Sequence, residues 1–260
     1  MGRINVGRTN WTVISLGGSL IVPVEIKTYF ILQFKEFIIK QVSQGRRFII
    51  VCGGGEIARN YQKAYKILSD RIDNNILDWV GINATRLNAR FMAGVFGDIA
   101  DQRIIDNPNK KIRTKNSVVF ACGWKPGCST DYVAVLFAKN VGAQRIINLT
   151  NVDGVYDVGE DGEKKELFHR ITWDDYMAII PKKWTPGLSS PFDPIASKEA
   201  QRKGIEVAVI GQSLRNFELC LDGDRFKGTI ISGNSPNLYP YAQNFKKRRL
   251  HRTEDTFLHE

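Results

Sequence analysis

The sequence predicts a three-layer α/β/α sandwich with a mostly parallel central sheet. Three observations carry that expectation. Short, continuously apolar runs such as "TVISL" and "RFIIVC" read as strands buried on both faces. Between them lie segments of helical periodicity, so that strands and helices alternate along the chain. Glycines fall just past several of the apolar runs, at 17–18, 53–55, 123 and 127. In a parallel sheet those strand ends face the ligand-binding crevice.

The elements follow in order. Residues 11–16 are the first expected strand, and 24–44 a long amphipathic helix closed by Gly45. A second strand, 46–52, runs into Gly53-Gly54-Gly55, and a helix follows from about Glu56 to Leu68. Residues 75–100 read as helix, and 117–122 as strand. Ser129 or Thr130 caps a helix through Ala143, and 145–150 is the next strand. "ITWDDYMAII" reads as a short helix. Asp193 caps "PIASKEAQRK", which Gly204 ends. "IEVAVIG" is a strand, "LRNFELCL" a helix and "GTIIS" a closing strand. The expected organisation is a leader over 1–10, one lobe over 11–144, a second over 145–232, and a tail over 233–260. The tail carries Pro, Asn and Tyr, then "FKKRRLHR", then acidic residues. It reads as an appendage, either disordered or docked on a neighbouring subunit.

Composition narrows the function classes. The chain has 260 residues, 43% hydrophobic and 25% charged, enough for a sizeable core in one or two domains. No apolar run reaches membrane-spanning length, and "MGRINVGRTNW" lacks the apolar core of a signal peptide. The expected home is a reducing cytoplasm, since Cys52, Cys122, Cys128 and Cys220 form no CxxC pair and suggest neither a zinc site nor a disulfide framework. A net charge of +10 favours phosphorylated or polyanionic partners, whether nucleotides or nucleic acid. The three histidines are His169, His251 and His259, and the last two lie in the tail. A Ser-His-Asp triad or a His-rich metal site would rest on His169 alone, which argues against both.

No GxxxxGK[ST] and no GxGxxG after a strand are present. The strand-end glycines can instead bring backbone N–H groups close to phosphate oxygens, at the N-termini of the following helices. In "GGGEIAR", Arg59 falls on the first turns of a helix, where it either folds back to a phosphate at the glycines or is a surface arginine. In "DWVGINATRLNAR", Asp78 is either a helix cap or an acceptor for ribose hydroxyls. Thr130 and Asp131 in "GCSTDYVAV" stand at a helix start, as a cap or as a carboxylate that orients cationic groups. In "NLTNVDGVYD", Asp153-Gly154 is a turn, and Tyr156 is either a core aromatic or a nucleobase contact.

Taken in order, "LGGS", "GGGEIAR", "GINATRLNA", "GCSTDYVA", "NVDGVYD", "DPIAS" and "GTII" resemble the landmarks of the amino-acid-kinase family, and specifically its archaeal-type uridylate kinases. The resemblance spans 11–232. It implies the amino-acid-kinase fold and transfer of the ATP γ-phosphate to UMP, giving UDP and ADP for pyrimidine nucleotide biosynthesis. It implies that Gly54, Gly55 and Arg59 hold the acceptor's phosphate, that Asp78 holds its ribose, and that Thr130 brackets its phosphate or base. It implies that Gly17, Gly18 and Ser19 cradle the transferring group, and that Asn151, Gly154, Tyr156 and Asp157 line the ATP site. Asp131 would organise the reaction centre with help from Asp193. Mg²⁺ would bridge ATP oxygens with no direct protein ligand. The acceptor phosphate is already nucleophilic, so alignment and charge neutralisation are needed rather than a general base.

One position departs from the wider family, which often carries lysine where Ser15 stands. Lys125, Lys183 and Lys198 are candidates, one of which would substitute, each otherwise a solvated surface lysine; Lys198 lies one turn into a helix that starts at the site. The same departure leaves an alternative: a non-catalytic nucleotide- or anion-binding or storage protein of this fold. RNA binding through "NFKKRRLHR" with Phe245, Tyr239 and Tyr241 is a third reading, against which stands a simple solvated tail or intersubunit arm. The resemblance also implies a homohexamer, a trimer of dimers. Phe30, Ile31, Phe34, Phe37, Ile38 and Ile39 exceed what one buried helix face requires, which points to an interface.

Overall fold

The computed structural model describes residues 10–158, 164–183 and 190–233. The leader through residue 9 and the tail from residue 234 lie outside these, along with the expectations placed on them. The centre is an eight-stranded sheet. Its strands are β1 (Trp11–Leu16), β2 (Arg47–Cys52), β3 (Ala100–Ile105), β4 (Val118–Ala121), β5 (Arg145–Leu149), β8 (Arg170–Thr172), β9 (Glu206–Ile210) and β10 (Thr229–Ser232). They lie in the order β3-β4-β2-β1-β5-β9-β10-β8. Within this sheet every pairing is parallel except that of β10 with β9. A separate small hairpin joins β6 (Tyr156–Val158) and β7 (Lys164–Leu167).

The strand pattern explains the two covering layers. Ile14 and Leu16 of β1 point into one apolar cluster, and Val13 into the other. Phe48, Ile50 and Cys52 of β2 alternate in the same way with Ile49 and Val51. On the first face pack α2 (Thr28–Ser43), α4 (Asn74–Phe96) and α8 (Leu214–Asp222), through Phe34, Met92, Phe96 and Phe217. On the second pack α5 (Thr130–Val141), α6 (Trp173–Ile179) and α7 (Pro194–Lys203), through Phe137, Trp173, Tyr176 and Ala200. Burying each large side chain contributes about 1.5–3 kcal/mol, and this two-sided core is the main force holding the sandwich together. Between β1 and α2 runs a single turn of helix, α1 (Gly18–Ile21). After β2, α3 (Gly55–Leu68) packs against α4.

Several boundaries differ from the sequence expectation. The first long helix begins at Thr28 rather than 24, because Val22 is extended ahead of Pro23. The helix expected to reach residue 100 ends at Phe96, where Gly97 takes φ +61°, and Ala100–Ile105 is a strand. "ITWDDYMAII" splits into β8 and α6, with Thr172 capping the helix through the Asp175 N–H. Asp193 and Gly204 bound α7 as expected.

The apolar surplus on the first long helix is largely absorbed by the chain's own core. Phe30, Ile31, Phe34 and Ile38 are buried, and Phe37 packs against Phe217 with ring centroids 4.9 Å apart and planes tilted by 37°. Of the six residues read as interface material, Ile39 alone is exposed, joined on that face by Tyr29 and Leu32.

Candidate active site at the ends of the parallel strands

Because β1, β2, β4, β5 and β9 are parallel, their C-terminal ends open at one edge of the sheet. The chain leaves β1 for β2 on one side, and later returns to β5 on the other. Strand order therefore reverses between β1 and β5, and a crevice opens there. Five turns line this edge: Gly17-Gly18 after β1, Gly53–Gly55 after β2, Gly123 after β4, Thr150-Asn151 after β5 and Gly211 after β9.

The glycine turns are built against each other before they meet any ligand. The Gly17 N–H donates to the Leu149 carbonyl at 2.8 Å, and the Gly53 N–H to the Leu16 carbonyl at 2.9 Å. A Cβ on Gly18 would lie 2.0 Å from the Gly55 nitrogen, and one on Gly53 would lie 2.5 Å from the Gly18 nitrogen. Gly55 has φ +65°. These two turns thus touch backbone to backbone, which only glycine permits. The Gly17 N–H is thereby tied to the end of β5. Gly18 and Ser19, in the one-turn α1, and Gly54 and Gly55, at the start of α3, remain at the crevice.

Helix α4 fixes the turns after β2 and β4. Buried Asn88 donates its amide to the Gly53 carbonyl at 2.8 Å and to the Gly54 carbonyl at 3.2 Å. Buried Thr85 accepts the Gly123 N–H at 2.8 Å. Asp78 accepts the Gly127 N–H at 2.7 Å. Partial burial holds the Asp78 carboxyl above its ordinary range, opposed by that hydrogen bond. Asp78 is not a helix cap, since Asp73 caps α4 through the Asn75 N–H. Arg59 does not stand free: its guanidinium binds Glu56 at 2.6–2.8 Å on the same helix. Replacing Asn88 with Ala should strand two turn carbonyls. We expect a loss of about 2–3 kcal/mol in chemical denaturation.

At the crevice itself lie Ser15, Asp131 and Asp193. The Ser15 hydroxyl donates to Asp131 Oδ1 at 2.8 Å, and the Asp193 N–H donates to Asp131 Oδ2 at 3.3 Å. Asp193 caps α7 through the Ile195 and Ala196 amides at 2.8 and 3.0 Å, and accepts the Ser129 hydroxyl on its other oxygen. Ser129 is in turn the cap of α5, ahead of Thr130. The N-termini of α5 and α7 are thereby locked together, each with its positive end toward the crevice. Burial, and then the neighbouring Asp193 charge, push the Asp131 carboxyl up to about 7. Burial likewise raises Asp193.

Other expected residues fall in different settings. Lys198 is exposed on α7, Lys183 is exposed, and Lys125 lies with its ammonium 4.3 Å from the Trp124 ring. None forms an ion pair with Asp131 or Asp193 among the described residues. Asn151 is exposed beyond β5, while Tyr156 and Asp157 are half-buried on β6. Gly154 is buried, and a Cβ there would lie 2.6 Å from the Thr229 hydroxyl. His169 is exposed beside the edge strand, and all four cysteines are free thiols.

Three residues not singled out from sequence help build the site. Asn148 pairs beside Ser15 across β1 and β5, and its buried amide holds the Pro191 carbonyl just before Asp193. Glu56 occupies Arg59. Lys227 pairs with Asp153 at 2.6 Å, and its backbone N–H is held by Asn216 at 2.7 Å. A lone polar residue inside an apolar strand was the available signal for Asn148.

This architecture has known relatives, and residues 10–211 match the amino acid kinase family. The chain belongs to that family. Among the amino acid kinases similar to it is the uridylate kinase of Thermoplasma acidophilum, 34% identical over 223 residues, which are 84% of this chain and 95% of that one. Another is the uridylate kinase of Methanocorpusculum labreanum, 31% identical over 233 residues, 88% of this chain and 97% of that one. The crystal structure of uridylate kinase from Archaeoglobus fulgidus superposes with a TM-score of 0.71, at 29% identity, over 85% of this chain and 99% of that one. The fold and the family read from the ordered motifs are those found. None of the described helices is long and apolar enough to cross a membrane.

Proposed function

We propose that this chain is a UMP kinase, transferring the ATP γ-phosphate to UMP. The observation that carries the reading is the gathering of the strand-end glycine turns and the α3, α5 and α7 N-termini at the edge where strand order reverses between β1 and β5, with Asp131 tied there to β1 and to the start of α7. The archaeal relatives named uridylate kinase support the choice of acceptor. Residues 11–144 form the acceptor lobe and 145–232 the donor lobe, sharing one sheet. Gly54, Gly55 and Arg59 take the acceptor phosphate, and for that Arg59 must exchange Glu56 for phosphate oxygens. Asp78 takes the ribose, with Thr130 at the acceptor's phosphate or base. Gly17, Gly18 and Ser19 face the transferring group, and Asn151, Gly154, Tyr156 and Asp157 line the donor nucleotide.

An acceptor phosphate oxygen forms the new bond to the γ-phosphorus as the bond to the β,γ-bridging oxygen breaks, and ADP leaves with that electron pair. The chain's work is to align the two phosphates and to offset their charge with amides, helix dipoles and Arg59. No proton need be removed from the nucleophile. Mg²⁺ belongs to this reading as a companion of ATP. Among the described residues no three metal-ligating side chains cluster, and Mg²⁺ favours phosphate and water oxygens. Cytoplasmic placement and a homohexameric state complete the proposal.

The test is ADP release with MgATP against UMP, CMP, AMP and GMP. Rapid, Mg²⁺-dependent turnover on UMP is expected. ATP binding without turnover on any acceptor would replace the proposal with a nucleotide-binding or storage role. Arg59→Ala should raise KM for UMP by roughly tenfold or more while changing KM for ATP little. An unchanged KM for UMP would remove Arg59 from the acceptor site.

A further inference from the structure

Ser15 is 3% exposed near the end of β1, between Val51 of β2 and Asn148 of β5. A buried hydroxyl in a strand must find a partner. This one finds Asp131, 116 residues away in sequence. The groups bonded to Asp131 come from two elements, the Ser15 hydroxyl from β1 and the Asp193 backbone N–H at the start of α7, and buried Tyr176 of α6 lies within range of its charge. Tyr176 is itself tied to the backbone of Phe192 at 2.7 Å. Among the described residues neither carboxylate has a lysine or arginine at ion-pair distance. Both Asp131 oxygens therefore accept, one from a hydroxyl and one from an amide that cannot reverse. With the hydroxyl donating, that arrangement suits a carboxylate; a carboxylic acid would need the Ser15 hydroxyl to turn and accept.

We infer that the Ser15 hydroxyl is a positioning group that holds Asp131 oriented and ionised, in place of a cation. The inference rests on the UMP kinase reading and adds a residue to it. Burial and the Asp193 charge oppose ionisation of Asp131, and the Ser15 hydrogen bond favours it. Removing the hydroxyl leaves more of the protein protonated at this carboxyl near neutral pH. The effect must then depend on pH, whereas a loss of packing would not.

The experiment compares wild type, Ser15→Ala and Ser15→Thr in kcat/KM for UMP from pH 5.5 to 9. In Ser15→Ala the acidic limb should move up by about one pH unit. Activity should fall roughly tenfold near pH 6.5 and recover most of the way by pH 9. Ser15→Thr keeps the hydroxyl and should restore the wild-type profile. A uniform loss at every pH, or an Ala profile that coincides with wild type, overturns the inference. A parallel ¹³C-carboxyl titration of Asp131 in the nucleotide-free proteins separates this from the activity reading. If wild type turns over no UMP, the function proposal fails. An Asp131 titration unmoved by Ser15→Ala then overturns the positioning role as well, and an upward shift upholds the contact.

Discussion

Gly18→Ala should fail to give a folded protein, or should lose more than about 3 kcal/mol in denaturant unfolding. The added Cβ would lie 2.0 Å from the Gly55 nitrogen, 2.6 Å from its Cα and 2.7 Å from the Gly53 carbonyl carbon. All three are backbone atoms, so no side chain can swing aside. The second turn is itself anchored, by Gly53 to the Leu16 carbonyl and by Asn88 to Gly53 and Gly54. Relief would require moving the ends of β1 and β2 apart through a close-packed core, the mechanism behind the largest single-site losses. Gly94→Ala is the matched control. Gly94 is exposed within α4, and nothing lies within 4 Å of the added Cβ. Alanine there should raise stability by about 0.5–1 kcal/mol, because it removes the entropic cost of helical glycine. If both variants lose equal stability, the turn-to-turn contact is not what demands glycine at 18.

What the sequence revealed and what it hid follow from the range of the interactions. β1, β2, β5 and β9 were legible because both faces are buried, which leaves unbroken apolar runs bounded by turns. α7 was legible to the residue because its cap and its stop are local chemistry: Asp193 binding its own first amides, and Gly204 at φ +64°. β3 was hidden because it is an edge strand with exposed Gln102 and Arg103, directly after a helix whose pattern blurs into it. β6, β7 and β8 are three or four residues each, too short to show a period of two. The site divides the same way. The glycine turns and Asp131 stood out as motifs. The ties of Asp78 to Gly127, Thr85 to Gly123 and Asn148 to Pro191 join residues 38 to 49 apart, which no local pattern encodes. Glu56 and Arg59 are three apart on one helix, so their pairing was readable in "GGGEIAR".

Asp131→Asn should make the nucleotide-free protein more stable at pH 8 and nearly abolish its turnover. Burial and the Asp193 charge raise the folded-state carboxyl from its ordinary 3.8 to about 7. Below the ordinary value both the folded and unfolded chains hold the proton, and the site costs nothing. Between the two values the folded chain binds more protons, so stability falls as pH rises, and above about 7 the full penalty is present. A neutral amide removes that penalty. It also keeps both hydrogen bonds, because its oxygen can accept the Asp193 N–H while its NH₂ donates to a turned Ser15 hydroxyl. The variant should therefore melt above wild type at pH 8 and together with it near pH 4. Turnover should fall by roughly 10²–10³, since the crevice loses the fixed anion that orients the cationic charge accompanying ATP. A buried, charged carboxylate kept at the cost of stability fits a reaction centre better than a storage site. A variant that melts below wild type at pH 8 would show that the carboxylate is structural. Near-normal turnover would show that phosphoryl transfer proceeds without its charge.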